Sequence, residues 1–230
     1  MLAMTATAID NRLTRVLSFY DAPIGKKVVM AVTGVILFGF VLLHMAGNLQ
    51  VFLGRDEFDA YARLLRTEPA LLWLARVILL TSVILHIVAA IQLSSRNQQA
   101  RPVAYQKHEA IASSYASRTM MWSGPIVAAF IVYHLLHFTV GTVHPNFQEG
   151  RVYDNVINGF RSVPVSIAYI VAMLLLGLHL NHGFWSMFQS LGVSNPRYSA
   201  MLKRAANLFA ILIVAGFCSV PLAVLTGAIS

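Results

Sequence analysis

Five long apolar runs decide what this chain can fold into. They cover about residues 28–53, 71–93, 120–143, 164–188 and 205–229, and a helix of roughly 20 apolar residues crosses a bilayer. The first run contains no charge at all, and the second has Arg76 near its start, where a long side chain reaches the interface. The polar connections between them carry helix breakers: Arg66-Thr67-Glu68-Pro69, Arg101-Pro102, His144-Pro145-Asn146 and Ser194-Asn195-Pro196. The expected fold is therefore an all-α membrane protein of five transmembrane helices. Residues 1–27 form an N-terminal segment and residues 28–230 the membrane domain, with no separate soluble domain.

Only 11% of the residues are charged, against about 25% in an ordinary soluble domain, so the core is the bilayer interior. A net charge of +8 would point to nucleic acid in a soluble protein, but no nucleic-acid motif is present. The placement of the charge explains it better. The N-terminal segment and the second and fourth connections carry Arg12, Arg15, Lys26, Lys27, Arg96, Arg101, Lys107, Arg118, Arg197, Lys203 and Arg204, against only Asp10, Asp21 and Glu109. The first and third connections balance Arg55, Arg63, Arg66, Arg151 and Arg161, with Arg76 at the helix end, against Asp56, Glu57, Asp59, Glu68, Glu149 and Asp154. The positive-inside bias thus puts the N-terminus in the cytoplasm and the C-terminus outside. Residues 1–27 lack the short apolar stretch of a cleaved signal peptide. The single cysteine, Cys218, excludes an intrachain disulfide and the Cys-x-x-Cys-His attachment of c-type haem, and reads as a small buried thiol.

Each of the first four runs holds at least one histidine: His44, His86, His134 with His137, and His179 with His182. The fifth holds none. Counting from the inner end of each span at about 1.5 Å per residue, His44 lies about 24 Å deep, His134 about 21 Å and His137 about 26 Å. On the same scale His86 lies about 10 Å deep, His179 about 14 Å and His182 about 9 Å. Spans 1 and 3 supply an outer layer of imidazoles, spans 2 and 4 an inner one. Two layers of facing histidines in a four-helix bundle suit two haems with bis-imidazole ligation, which moves electrons and leaves no open iron position. Gly34, Gly39, Gly47, Gly124, Gly177 and Gly183, with Ala89 and Ala90, make room between helices. A lone membrane histidine often does no more than bond a neighbouring helix, but four spans in two matched layers argue for more. A zinc site is disfavoured by the lack of cysteine and carboxylate at those depths. A transporter would show paired interrupted spans, which are absent. Depth does not choose between His134 and His137, or between His179 and His182.

Several segments resemble the membrane-anchor cytochrome b of succinate:quinone oxidoreductases, the five-helix, single-chain type with two haems b. They are Ile24-Gly25-Lys26-Lys27-Val28-Val29-Met30-Ala31-Val32-Thr33-Gly34, His44-Met45-Ala46-Gly47-Asn48-Leu49, and Ala116-Ser117-Arg118-Thr119-Met120. Further along come Tyr133-His134-Leu135-Leu136-His137-Phe138 and His179-Leu180-Asn181-His182-Gly183-Phe184-Trp185-Ser186, continuing through Phe188-Gln189-Ser190-Leu191-Gly192. The resemblance spreads over residues 24–198. It implies His134 and His179 as ligands, hence the pairs His44 with His134 and His86 with His179, in agreement with the depth layers. His137 and His182 then lie one turn away, placed to pack, to make a local hydrogen bond or to bond a propionate. Lys27 and Arg118, at the inner ends of spans 1 and 3, become candidates for the propionates of the inner haem. Some members that couple turnover to transmembrane proton movement carry a glutamate two residues before the fourth-span ligand. Here that position is Gly177, so no proton path through it is expected.

The resemblance also implies a role and partners. The chain would be a subunit of succinate dehydrogenase in the cell's inner (cytoplasmic) membrane, with no catalytic residue for succinate itself. A flavoprotein subunit would oxidise succinate, and an iron–sulfur subunit would hand electrons to this chain. Two b haems would then pass them to a quinone, with menaquinone expected. The absence of any flavin or iron–sulfur motif agrees with that division of labour. The basic connections would form the docking surface, although they serve equally as topology determinants and lipid headgroup contacts. Asp59, Tyr61, Arg63 and Glu68 are candidates for proton exchange with quinone on the outer face, each otherwise an ordinary solvated loop residue. A quinol:fumarate reductase anchor and a haem-free structural anchor are the alternatives.

Overall fold

In the computed structural model, residues 14, 18–100, 115–193 and 195–230 are described, and among them every regular element is helical. Most of the 1–27 segment, with Asp10, Arg12 and Arg15, lies outside the described residues, as do Arg101, Pro102, Lys107, Glu109 and Ser194. Five helices are long and apolar enough to cross a membrane. α1 is Pro23–Asn48, running on through a 3-10 turn Leu49–Leu53. α2, Arg55–Leu64, is short, and α3 is Pro69–Gln99. α4 is Tyr115–His134 and continues as a π-helix, Leu135–Val140. α5, Val152–Phe160, is again short; α6 is Val163–Ser190 and α7 is Pro196–Leu225.

The helix ends follow local chemistry. Proline occupies the first turn of α1, α3, α6 and α7, where its missing N–H and fixed φ do no harm. Glycines with positive φ stop two of the spans: Gly54 at 104° after α1 and Gly141 at 83° after the π-helix. α7 begins at Pro196 rather than near residue 205, because the Asn195 side chain accepts the Arg197 backbone N–H at 2.9 Å. Arg197, Lys203 and Arg204 therefore ride on a helix instead of lying in a loop.

Two elements were not expected, α2 and α5, which lie in the first and third connections. Asp56 and Glu57 start α2 and Arg63 ends it, matching the helix dipole. α2 and α5 pack on each other. Asp59 Oδ1 accepts the Tyr153 backbone N–H at 2.9 Å, capping α5 from another element in place of a side-chain cap of its own. Asp154 pairs with Arg55 and with Arg151 Nε, the latter at 2.7 Å, and its hydrogen bond pushes the Arg55 guanidinium above its ordinary value.

The largest buried apolar cluster sits at this end of the bundle. It joins Val51, Phe58, Tyr153, Val156, Ile157 and Phe160 to Tyr169, Val220 and Val224 of α6 and α7. Tyr153 Oη reaches the Ser230 carbonyl at 3.3 Å, so the C-terminus lies at the same end. At the opposite end Tyr20 bonds Gln92 at 3.0 Å and Arg96 bonds the Asp21 carbonyl, which places the start of α1 beside the end of α3. The spans therefore alternate in direction. Mid-span faces such as Leu43 and Trp122 stay exposed, as lipid-facing side chains must.

α1 packs against α3, α4 against α6, and α1 also meets α6. Around the bundle the order is α3, α1, α6, α4, which puts α1 diagonal to α4 and α3 diagonal to α6. α7 lies outside this four-helix set, against α6 and α1. It is fastened by Asn181 Nδ2 donating to Asn207 Oδ1 and by Gly177, where an added Cβ would collide with Val214 Cγ2. Gly177→Ala is expected to cost about 1–3 kcal/mol by overpacking, seen as a lowered unfolding midpoint in detergent. An unchanged midpoint would mean that α7 yields freely at that point.

Candidate functional site

The two diagonals of the bundle carry the histidines. His86 of α3 faces His179 of α6 with ring centroids 6.3 Å apart and planes at 58°. His44 of α1 faces His134 of α4 at 5.6 Å and 81°. The first pair lies toward the end where α1 starts, and the second toward the α2–α5 cap. Two layers, each spanned by one cross-bundle pair, are what the depth count suggested.

Each pair is held by its surroundings. On the first, a Cβ at Gly34 would stand 3.6 Å from His86 Cε1, and one at Gly124 would stand 3.8 Å from His179 Cε1. Both rings therefore rest against glycine backbone of a neighbouring helix. Thr33 Oγ1 meets His86 Nδ1 at 3.1 Å, and His179 Nδ1 is buried without a hydrogen-bond partner among the described residues. Toward the same end, Phe38, Phe184 and Phe209 of α1, α6 and α7 meet with centroids 5.4–5.9 Å apart. On the second pair, Phe40 stacks on His44 at 5.2 Å and Phe130 on His134 at 5.9 Å, with Phe217 of α7 5.9 Å from His44.

This donor set fits haem. An iron bonded to two opposed imidazole nitrogens at about 2.0 Å holds the ring centroids roughly 6 Å apart, and the observed 6.3 and 5.6 Å agree with that. Among the described residues no three His, Cys, Asp or Glu side chains converge on one point, so a zinc ion would lack its third and fourth ligands. Two facing imidazoles instead suit a metal that arrives with its other donors already in place.

His137 takes a different place. It lies in the π-helix, whose wider turn swings it further from the face of His134 than an α-turn would. It is fully buried, with Nδ1 3.0 Å from Tyr169 Oη, and it stacks on Tyr133 and on His144 at 5.5 and 4.8 Å. Its Nε2 has no partner among the described residues, and a Cβ at Gly159 would press within 2.9 Å of its Cε1. Tyr169 Oη also approaches His134 Nδ1 at 3.4 Å. His182, three residues beyond His179 on α6, is half-buried.

Other expected site residues are scattered. Lys27 and Arg118 stand exposed on α1 and α4. The lysine that is buried is Lys26, with Nζ 3.1 Å from the Tyr20 carbonyl, 3.8 Å from Asp21 and 4.0 Å from the Tyr20 ring centroid. Asp59 is engaged in capping α5, and Tyr61 lies against Gly47, where a Cβ would meet its hydroxyl at 2.8 Å. Arg63 and Glu68 are exposed.

Thr33, Tyr169 and His144 were missed by reading histidine depth alone. Thr33 counts to about 8 Å and Tyr169 to about 28 Å on the same scale, so including hydroxyls in the depth count would have put each near one histidine layer. His144 gives no such signal. Its Nδ1 accepts the Asn146 N–H at 3.1 Å and its Nε2–H donates to the Asn155 carbonyl at 2.9 Å, which locks the turn after α4 onto α5. Tyr169→Phe would leave His137 Nδ1 buried and unpaired, at a cost of about 1–3 kcal/mol. A drop in thermal midpoint is expected, and no drop would show that the bond adds nothing.

The family model for the succinate dehydrogenase/fumarate reductase transmembrane subunit matches residues 95–217. That stretch holds His134, His137, His179 and His182, and leaves His44 and His86 outside it. No curated protein and no solved structure matches the chain.

Proposed function

This chain belongs to the succinate dehydrogenase/fumarate reductase transmembrane-subunit family, and from that premise we propose that it anchors the enzyme of succinate dehydrogenase and carries its electrons between an iron–sulfur subunit and quinone by means of two b haems. Members of the family are membrane subunits that generally partner a flavoprotein and an iron–sulfur subunit and bind haem and quinone. The cross-bundle pairing of His86 with His179 and of His44 with His134 is the observation that carries the two-haem reading. Menaquinone is the quinone proposed, and the inner (cytoplasmic) membrane the location. The N-terminus and its residues 1–27 are assigned to the cytoplasm, where the basic connections would meet the iron–sulfur subunit.

Bound haem iron would supply one-electron redox chemistry. The chain's own contribution is to hold and insulate. His86 and His179 would ligate one haem, nearer the cytoplasm, and His44 and His134 the other. Gly34 and Gly124 face the inner imidazoles at van der Waals distance. Phe40, Phe130 and Phe217 pack around His44 and His134 and shield the outer pair with apolar rings. His137 is assigned to Tyr169 and not to metal, and His182, Lys27 and Arg118 to the surroundings of the inner group. A fumarate reductase differs from this reading in direction alone, which the partners and the quinone potential set.

Pyridine haemochrome analysis of the purified complex should give two b haems per chain, and one or none would contradict the proposal. His44→Ala and His134→Ala should lose the same haem, while His86→Ala and His179→Ala lose the other. Loss of a haem from His137→Ala with retention in His134→Ala would overturn the assignment on α4.

A further inference from the structure

Thr33 carries more chemistry than a packing role in α1 requires. It is buried, 5% exposed, and its Oγ1 makes three contacts: the Val29 carbonyl at 2.7 Å, the Met30 carbonyl at 3.2 Å and His86 Nδ1 at 3.1 Å. A hydroxyl has one proton to donate. Two of the three neighbours are carbonyls, which only accept, and the shorter contact claims the proton for the helix's own turn, as threonine in a membrane helix commonly does. The contact with His86 must then run the other way, with Nδ1–H donating to a lone pair of Oγ1. A neutral imidazole with its proton on Nδ1 carries a free lone pair on Nε2.

We propose that Thr33 is a positioning residue that fixes His86 in its Nδ1–H tautomer and turns its Nε2 lone pair into the bundle as a metal ligand. The proposal rests on the haem reading above and deepens it. Gly34, the next residue on α1, faces the same ring, and a Cβ there would stand at ordinary van der Waals distance, 3.6 Å, from His86 Cε1. The opposite ligand has no such device, because His179 Nδ1 is buried without a partner among the described residues. The two sides of the inner site are therefore unequal, and the His86 side is the one held by a hydrogen bond. Donation from Nδ1–H also raises the electron density of the ring, making it a stronger ligand.

The test compares Thr33→Val and Thr33→Ser in the full complex. Valine keeps the shape and removes the acceptor, whereas serine restores the hydroxyl. Haem content and the two midpoint potentials are read by redox titration, with the outer haem as the internal control for folding. Thr33→Val should weaken the inner site for haem by about 10–100-fold and move the potential of any haem retained there upward, since a weaker donor favours the ferrous state. The outer haem should be unchanged, and Thr33→Ser should return the inner one to its original occupancy and potential. Normal inner haem in Thr33→Val, an equal change in both haems, or failure of Thr33→Ser to restore the inner one would each overturn the proposal. A wild-type complex without b haem would overturn the haem reading itself, whereas two haems in the wild type with any of those outcomes would refute only the role of Thr33.

Discussion

An imidazole buried in hydrocarbon has to give its ring nitrogens something to bind, and no water is present to supply it. The arrangement of this chain follows from that constraint. Four of its five spans bring a histidine to the bundle interior, and the spans are ordered so that each histidine meets another across a diagonal. Placing α1 opposite α4 and α3 opposite α6 is the packing that allows both pairs to form at once. It also separates them along the bundle, because the spans alternate in direction.

The rest of the fold supports these diagonals without entering them. α7 carries no histidine and packs outside the four-helix set, where Asn207 holds Asn181 and Val214 fills the space left by Gly177. The α2–α5 cap closes one end with the larger of the two buried apolar clusters among the described residues, tying two connections and the C-terminus together. Between cap and pairs lies the polar and aromatic group of Tyr169, His137 and His144. It absorbs the second histidine of the α4 pair, so that His134 alone faces His44. The π-helix is the local change that makes this division possible. An unbroken α-turn would leave His134 and His137 on nearly the same face.

Much of this was legible in the sequence, and the limits have physical causes. Apolar length set the five spans, and depth counting placed His44, His86, His134 and His179 in two layers. Span ends were less legible. The start of α7 depended on a cap at Asn195, which a hydropathy window cannot register. α2 and α5 were read as polar connections because each is only about two and a half turns long, and their burial depends on each other. The choice of His134 over His137 came from a family resemblance. In the structure the π-turn and the hydroxyl of Tyr169 give His137 surroundings of its own, apart from the face that His134 turns to His44, and spacing alone reveals neither.

Two haems per chain require both diagonals to be closed by ligation. Low-temperature EPR of the oxidised, purified complex tests this most directly. Two low-spin ferric haem signals, with no high-spin haem component, are predicted, because each haem iron would carry two imidazoles. A high-spin ferric signal, or a single low-spin haem, would mean that one histidine pair does not clamp a metal, and would contradict the account.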